Sequence, residues 1–352
     1  MSDSTIYFAT DRLPTGAPED WRSYGARMEA PTDPKAITYA AAFVTGTDLL
    51  AEGSGSIRAI VNPQRGGFAP GVGQDITNSG KNLLVFVHGF ANAFEDAIKR
   101  AAFNRAWFAA SGVPAADTTV LAFSWPSLGQ VIAAPPHLLP EDYLKDQGQA
   151  GRSGFHLAAF FQAIAPLLRQ ARSNGRRCFL LAHSMGNYAL QAAVESWFNQ
   201  GHAPEILFDE VFLAAADERD DSFAIPHGGR LSRLRELGSR ISIYHSVRDV
   251  AMYLSFAVNL RPRLGYEGPA NGHDPVRFPP AVYRIIDCAG LNDYDLLHPG
   301  DASHQYYRRS PKARADIAAV MAGTVPAPVV AVMASLDAAS IAVLATEPAG
   351  NS

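Results

Sequence analysis

Short, mostly apolar runs recur through the chain at 82–87, 119–124, 178–182, 210–215, 240–245 and 282–287. Runs of this length that are apolar on both faces are the mark of strands buried in a parallel sheet. Helical periodicity follows the first three, over 94–108, roughly 149–172 and 187–199. Strands separated by helices predict a mostly parallel α/β sheet with right-handed crossovers and helices on both faces. Ahead of this rhythm, 37–44 alternates apolar and polar residues, and 56–61 is its expected hairpin partner. The first segment, 1–36, is expected to be a short edge strand near Ile6–Arg12 followed by Pro-rich coil. The α/β domain then runs over 37–323, and 324–352 is a C-terminal helix or tail. Two Pro-rich insertions, about 125–151 and 257–280, follow strand ends on the face where open α/β sheets bind ligands, so they are candidate pocket walls.

Composition narrows the class. Of the 352 residues, 47% are hydrophobic and 18% charged, enough for one well-buried globular core. A net charge of −4 leaves no electrostatic footprint for nucleic acid. Cys178 and Cys288 both lie in apolar runs and read as small core residues, not as a disulfide framework. No basic-then-apolar leader pattern opens the chain, which predicts a cytoplasmic protein. The apolar stretch 325–345 is broken by Pro326, Pro328 and Asp337, so no membrane span and no membrane partner are expected.

The candidate chemistry sits where the third run ends. Ala182-His183-Ser184-Met185-Gly186 joins a strand to a helix through a sharp turn with Ser at its apex, a nucleophile elbow. The usual pattern is G-x-S-x-G, and Ala182 replaces its first Gly with another small residue. A bare serine there would be a helix N-cap, so the rest of a catalytic set has to be sought. The elbow sets a search order, an acid after a later strand and a histidine after the last one. Asp249 follows the run 240–245, and Asp217, one strand earlier, is its rival. His304 and His298 both follow 282–287. His304 is preferred because a helix is expected soon after it, whereas His298 precedes a proline. Backbone N–H groups of Met185 and Phe90 are the expected oxyanion donors. His88, Gly89 and Gly186 would support that loop and turn, and His273 could line the pocket from its insertion. No His/Cys/carboxylate set has metal-ligand spacing, and neither metal nor cofactor is expected.

With these residues in view, the chain resembles a bacterial branch of the α/β-hydrolase superfamily catalogued as a domain of unknown function. The resemblance rests on Ala9-Thr10-Asp11-Arg12, on Val87 through Ala97, on Phe123-Ser124-Trp125-Pro126-Ser127 and on Tyr143-Leu144-Lys145-Asp146. It continues through Leu181 to Asn187, Ser246 to Ala251, and His304-Gln305-Tyr306-Tyr307. It implies the α/β-hydrolase fold, with loop insertions over the C-terminal edge of the sheet. It also favours Asp249 and His304 and makes Ala182 a family variant. The family has no settled substrate.

Together these features predict a serine hydrolase cleaving a carboxylic ester, with amide or thioester as variants, through a Ser184–His304–Asp249 triad and an acyl-enzyme. The expected partner is a small or medium soluble ester, since the 125–151 insertion mixes charges with its apolar residues. An acyltransferase built on the same triad is one alternative, and a catalytically silent binding module is another.

Overall fold

A computed structural model describes residues 1–30, 32–51, 53–128, 139–224, 230–291 and 303–324. Its strands are β1 (Ser2–Thr10), β2 (Arg12–Pro14), β3 (Tyr24–Met28), β4 (Thr38–Thr47), β5 (Ser56–Arg65) and β6 (Asn82–Val87). They continue as β7 (Thr118–Ser124), β8 (Cys178–His183), β9 (Glu210–Ala214), β10 (Ile241–His245) and β11 (Tyr283–Asp287). The helices are α1 (Pro70–Thr77), α2 (Phe94–Ala109), α3 (Leu139–Ser173), α4 (Gly186–Asn199), α5 (Val250–Asn259), α6 (Leu264–Glu267) and α7 (Pro311–Ala322).

Nine strands form one sheet in the order β11-β10-β9-β8-β6-β7-β1-β4-β5. From β11 to β1 every pairing is parallel, and β4 and β5 add antiparallel strands at one end. All of β7 and β8, and β6 after Asn82, are buried, which is why their sequences read as unbroken apolar runs and not as alternation. The sheet separates two apolar cores. α1, α3 and α4 pack on one face through residues such as Leu157, Phe160, Leu190 and Trp197. α2 and α7 cover the other through Phe94, Phe108, Ile317 and Met321.

Two expectations need correction. The first strand is not an edge strand, because β1 lies between β7 and β4 and both its neighbours bond to it. Ile6, Phe8 and Ala9 are buried there, so β1 belongs to the main sheet, while β2 and β3 pair in a separate two-stranded sheet. Part of the supposed insertion 125–151 is helix: α3 begins at Leu139, nearly three turns ahead of the expected start near 149. Glu141 and Asp142 in its first turn complement the positive end of the helix dipole. The second insertion starts inside α5, and α6 is a single turn beyond it. The C-terminal segment from 325 and the rival His298 lie outside the described residues.

Candidate active site

The turn after β8 is tightly constrained. Ser184 has φ 54°, the left-handed region, which costs a residue with a Cβ about 1–3 kcal/mol and persists only when its surroundings enforce it. They do so here. Ser184 N–H donates to Ala214 O at 3.0 Å, and its carbonyl accepts from Asp217 N–H at 3.1 Å. Asn187 Nδ2 ties the turn together by donating to Ala182 O at 3.0 Å and Ser184 O at 3.1 Å. Gly186 is required because a Cβ there would lie 2.6 Å from both Val87 O and His88 O. At Gly89 a Cβ would lie 2.8 Å from Ser184 Cβ, so this glycine lets the β6 loop close over the turn.

That loop carries a second strained residue, Ala91 at φ 56°. Among the described residues, neither Phe90 N–H nor Met185 N–H has a hydrogen-bond partner. The loop is braced from below. His88 stacks on Trp125 with ring centroids 5.0 Å apart, and Trp125 Nε1 donates to His88 O at 2.7 Å. Burial, aided by the positive Arg12, pulls the His88 pKa down to about 3, so its ring is neutral at ordinary pH.

Beyond β10, Asp249 is fully buried, and both its oxygens are engaged. Oδ1 accepts from Met252 N–H at 3.0 Å and caps α5, while Oδ2 lies 2.8 Å from His304 Nδ1. The carboxylate holds Nδ1 as the donor, which leaves Nε2 of a neutral imidazole as the acceptor. His304 is carried by a buried segment running on to Arg308. Tyr306 anchors that segment, its hydroxyl donating to Tyr244 O at 2.7 Å and accepting from Ala215 N–H at 3.1 Å. This one phenol therefore joins the ends of β9 and β10.

Ser184, His304 and Phe90 line one cavity of about 320 Å³. Its other walls are largely apolar, with Ala251, Met252, Leu254 and Val258 of α5 on one side. Asp217, the rival acid, also lines it but does not reach His304. Its Oδ2 accepts from Tyr143 at 2.8 Å and its Oδ1 from Ser255 at 2.5 Å, with Arg263 Nε at 3.6 Å. Asn259 Nδ2 donates to the same Tyr143 hydroxyl at 2.9 Å. Of the second insertion, Val258 alone lines the cavity, and His273 is exposed away from it.

Sequence reasoning overlooked two supports. The first is His183, the residue before Ser184, whose Nε2–H donates to His304 O at 3.2 Å while its ring lies against the His304 ring at 4.7 Å. Burial first, then the neighbouring His304 and Arg308, push its pKa well below the ordinary 6.5. The second is the set of stretches that carried the resemblance without a role. Arg12 donates to Asn92 O at 2.7 Å, Gly25 O at 2.9 Å, Ser124 Oγ at 3.1 Å and Ser127 O at 3.2 Å. Asp146 accepts from Ser127 Oγ, Leu128 N–H and Ala91 N–H, and burial raises its pKa. These residues, distant in sequence, meet beneath the β6 loop. The charged residues Arg12 and Asp146 inside two of these stretches were the available signal.

A parallel sheet with a serine elbow at its C-terminal edge defines the α/β-hydrolase fold. Residues 70–314 match the alpha/beta hydrolase family of unknown function DUF900, and since this is well over half of the chain, the protein belongs to that family. No curated protein matches the chain. Among the described residues no helix is long and apolar enough to cross a membrane.

Proposed function

We propose that the protein is a serine hydrolase cleaving a carboxylic ester through Ser184, His304 and Asp249. The observation that carries this reading is the 2.8 Å contact between His304 Nδ1 and Asp249 Oδ2, with His304 and Ser184 lining the same cavity. His304 Nε2 takes the hydroxyl proton as Ser184 Oγ bonds to the substrate carbonyl carbon. The carbonyl electron pair moves to oxygen, where the Phe90 and Met185 N–H groups receive it. Collapse breaks the C–O bond, and the leaving alkoxide takes the proton from His304. Water then repeats the sequence on the acyl-enzyme, releasing the acid and restoring Ser184. Asp249 stays ionised throughout and stabilises the imidazolium.

Support comes from the strained, enforced turn at Ser184 and from the unpaired donors on either side of it. A fluorophosphonate probe tests the reading directly, since it phosphonylates an activated serine. The wild type should label and Ser184→Ala should not, with ester turnover falling by about 10⁶-fold. A folded wild type that fails to label, or a Ser184→Ala variant that labels equally, overturns it.

A further inference from the structure

α5 is apolar on both sides. Ala251, Met252 and Val258 face the cavity, while Val250, Tyr253 and Phe256 are 47%, 54% and 36% exposed on the outside. The outer patch extends past the helix ends to Val247 and Leu260, which are 50% and 79% exposed. Leu254 belongs to both surfaces, lining the cavity and standing 42% exposed at its rim. Exposed apolar residues scattered singly need no explanation, but a contiguous set at the mouth of a site does.

Along the segment that carries α5 the exposed charges have one sign. Between Val247 and Arg261 the sole acid is Asp249, which is buried, and the exposed charged residues are Arg248 and Arg261, one beyond each end of α5. An apolar, aromatic-bearing face flanked by arginines fits a surface whose interior is hydrocarbon and whose headgroups are anionic. The arginine stems can lie along the apolar layer with their guanidinium groups at phosphate level. A second copy of the chain fits less well. Two-fold antiparallel pairing of α5 would bring Arg248 of one copy toward Arg261 of the other, and like charges oppose that.

We propose that the outer face of α5 docks on an anionic lipid surface and that the site takes a lipid-borne acyl ester from it. The substrate half of this rests on the hydrolase reading above, and the docking half does not. Leu254 supplies the continuity, giving an acyl chain an apolar path from bilayer to cavity. The small soluble ester expected from the 125–151 insertion was judged without α5, which lies outside that insertion.

Flotation of the full-length protein with vesicles tests the docking without turnover. Vesicles of equimolar phosphatidylcholine and phosphatidylglycerol should carry the protein up the gradient at low salt, about tenfold better than phosphatidylcholine alone. High salt should weaken the binding. Tyr253→Gln/Phe256→Gln, which alters exposed residues outside the cavity, should lower vesicle binding by at least about tenfold while fluorophosphonate labelling in solution persists. No binding to anionic vesicles, or equal binding by this variant, overturns the proposal. So does a wild-type dimer that the double variant converts to monomer, because a second copy would then be the occupant. Vesicle binding by a wild type that does not label at Ser184 supports the docking and overturns the hydrolase reading instead.

Discussion

Asp249 and Asp217 occupy matching places. Each follows the end of a parallel strand, each is buried, and each holds α5, one by capping it through Met252 N–H and the other by accepting from Ser255 in its middle. They differ in what the remaining oxygen holds. At Asp249 it is an imidazole that lines the cavity, and at Asp217 it is the phenol of Tyr143, itself bonded to Asn259 of α5. Burial near a strand end therefore does not single out an acid, and the partner does. One carboxylate holds the imidazole proposed as the base, and the other fastens a cavity wall to α3.

The largest test of this difference is Asp249→Asn. Asparagine still caps a helix, so α5 should survive with thermal stability nearly unchanged. It cannot stabilise an imidazolium, and its amide NH2 can favour the wrong tautomer at His304. Ester turnover should fall by about 10⁴-fold. A loss of tenfold or less, measured on a short p-nitrophenyl ester, would break the distinction between the two carboxylates.

The succession of strands, the turn at Ser184 and the places of Asp249 and His304 after later strands were legible because they depend on local pattern and on the succession of elements. Apolar runs marked β6, β7 and β8, and the small residues around Ser184 marked a tight turn. What stayed hidden depends on distance across the fold. Arg12, Ser127 and Asp146 are spread over the chain, yet they brace one loop, and no periodicity links them. The interior position of β1 was equally unreadable, because Ile6–Thr10 alternates imperfectly and its neighbours, β4 and β7, come from separate parts of the sequence. Asp217 fell between these cases. Its place after a strand was visible, but its partners on α3 and α5 were not.

His183 sharpens the base side of the comparison with a smaller effect. His183→Phe keeps an aromatic ring of similar size beside His304 but removes the donor to its carbonyl. Losing about 1 kcal/mol of positioning should lower kcat by roughly five- to tenfold with KM little changed. The variant also has a pH signature. In the folded protein the His183 pKa lies well below 6.5 because the ring is buried beside His304 and Arg308. In the unfolded chain it returns to its ordinary value, so below about pH 6.5 the unfolded state binds a proton that the folded state does not. Stability must then fall as pH drops through that window. Removing the imidazole should make the Tm of His183→Phe less sensitive to acid than that of the wild type, and equal sensitivity would show that the ring protonates freely in the fold.

Asp217→Asn should have the smallest effect on chemistry and is the sharpest control for the assignment of Asp249. Its side chain keeps nearly the same shape, and one oxygen can still accept from Tyr143 or Ser255. Its charge is lost beside Arg263, which is 2% exposed and whose Nε lies 3.6 Å from Asp217 Oδ1. Leaving that guanidinium without its counter-charge, and one hydroxyl poorly partnered, should cost about 1–3 kcal/mol of stability. Turnover should fall only through slack in α5, by roughly tenfold or less, with KM rising more than kcat falls because α5 forms the cavity wall. Denaturant unfolding and steady-state kinetics on the same preparation separate the two effects. If Asp217→Asn kept its stability but lost as much kcat as Asp249→Asn, the carboxylate after β9 would have to serve the base, and the fastening role drawn from Tyr143, Ser255 and Asn259 would fail.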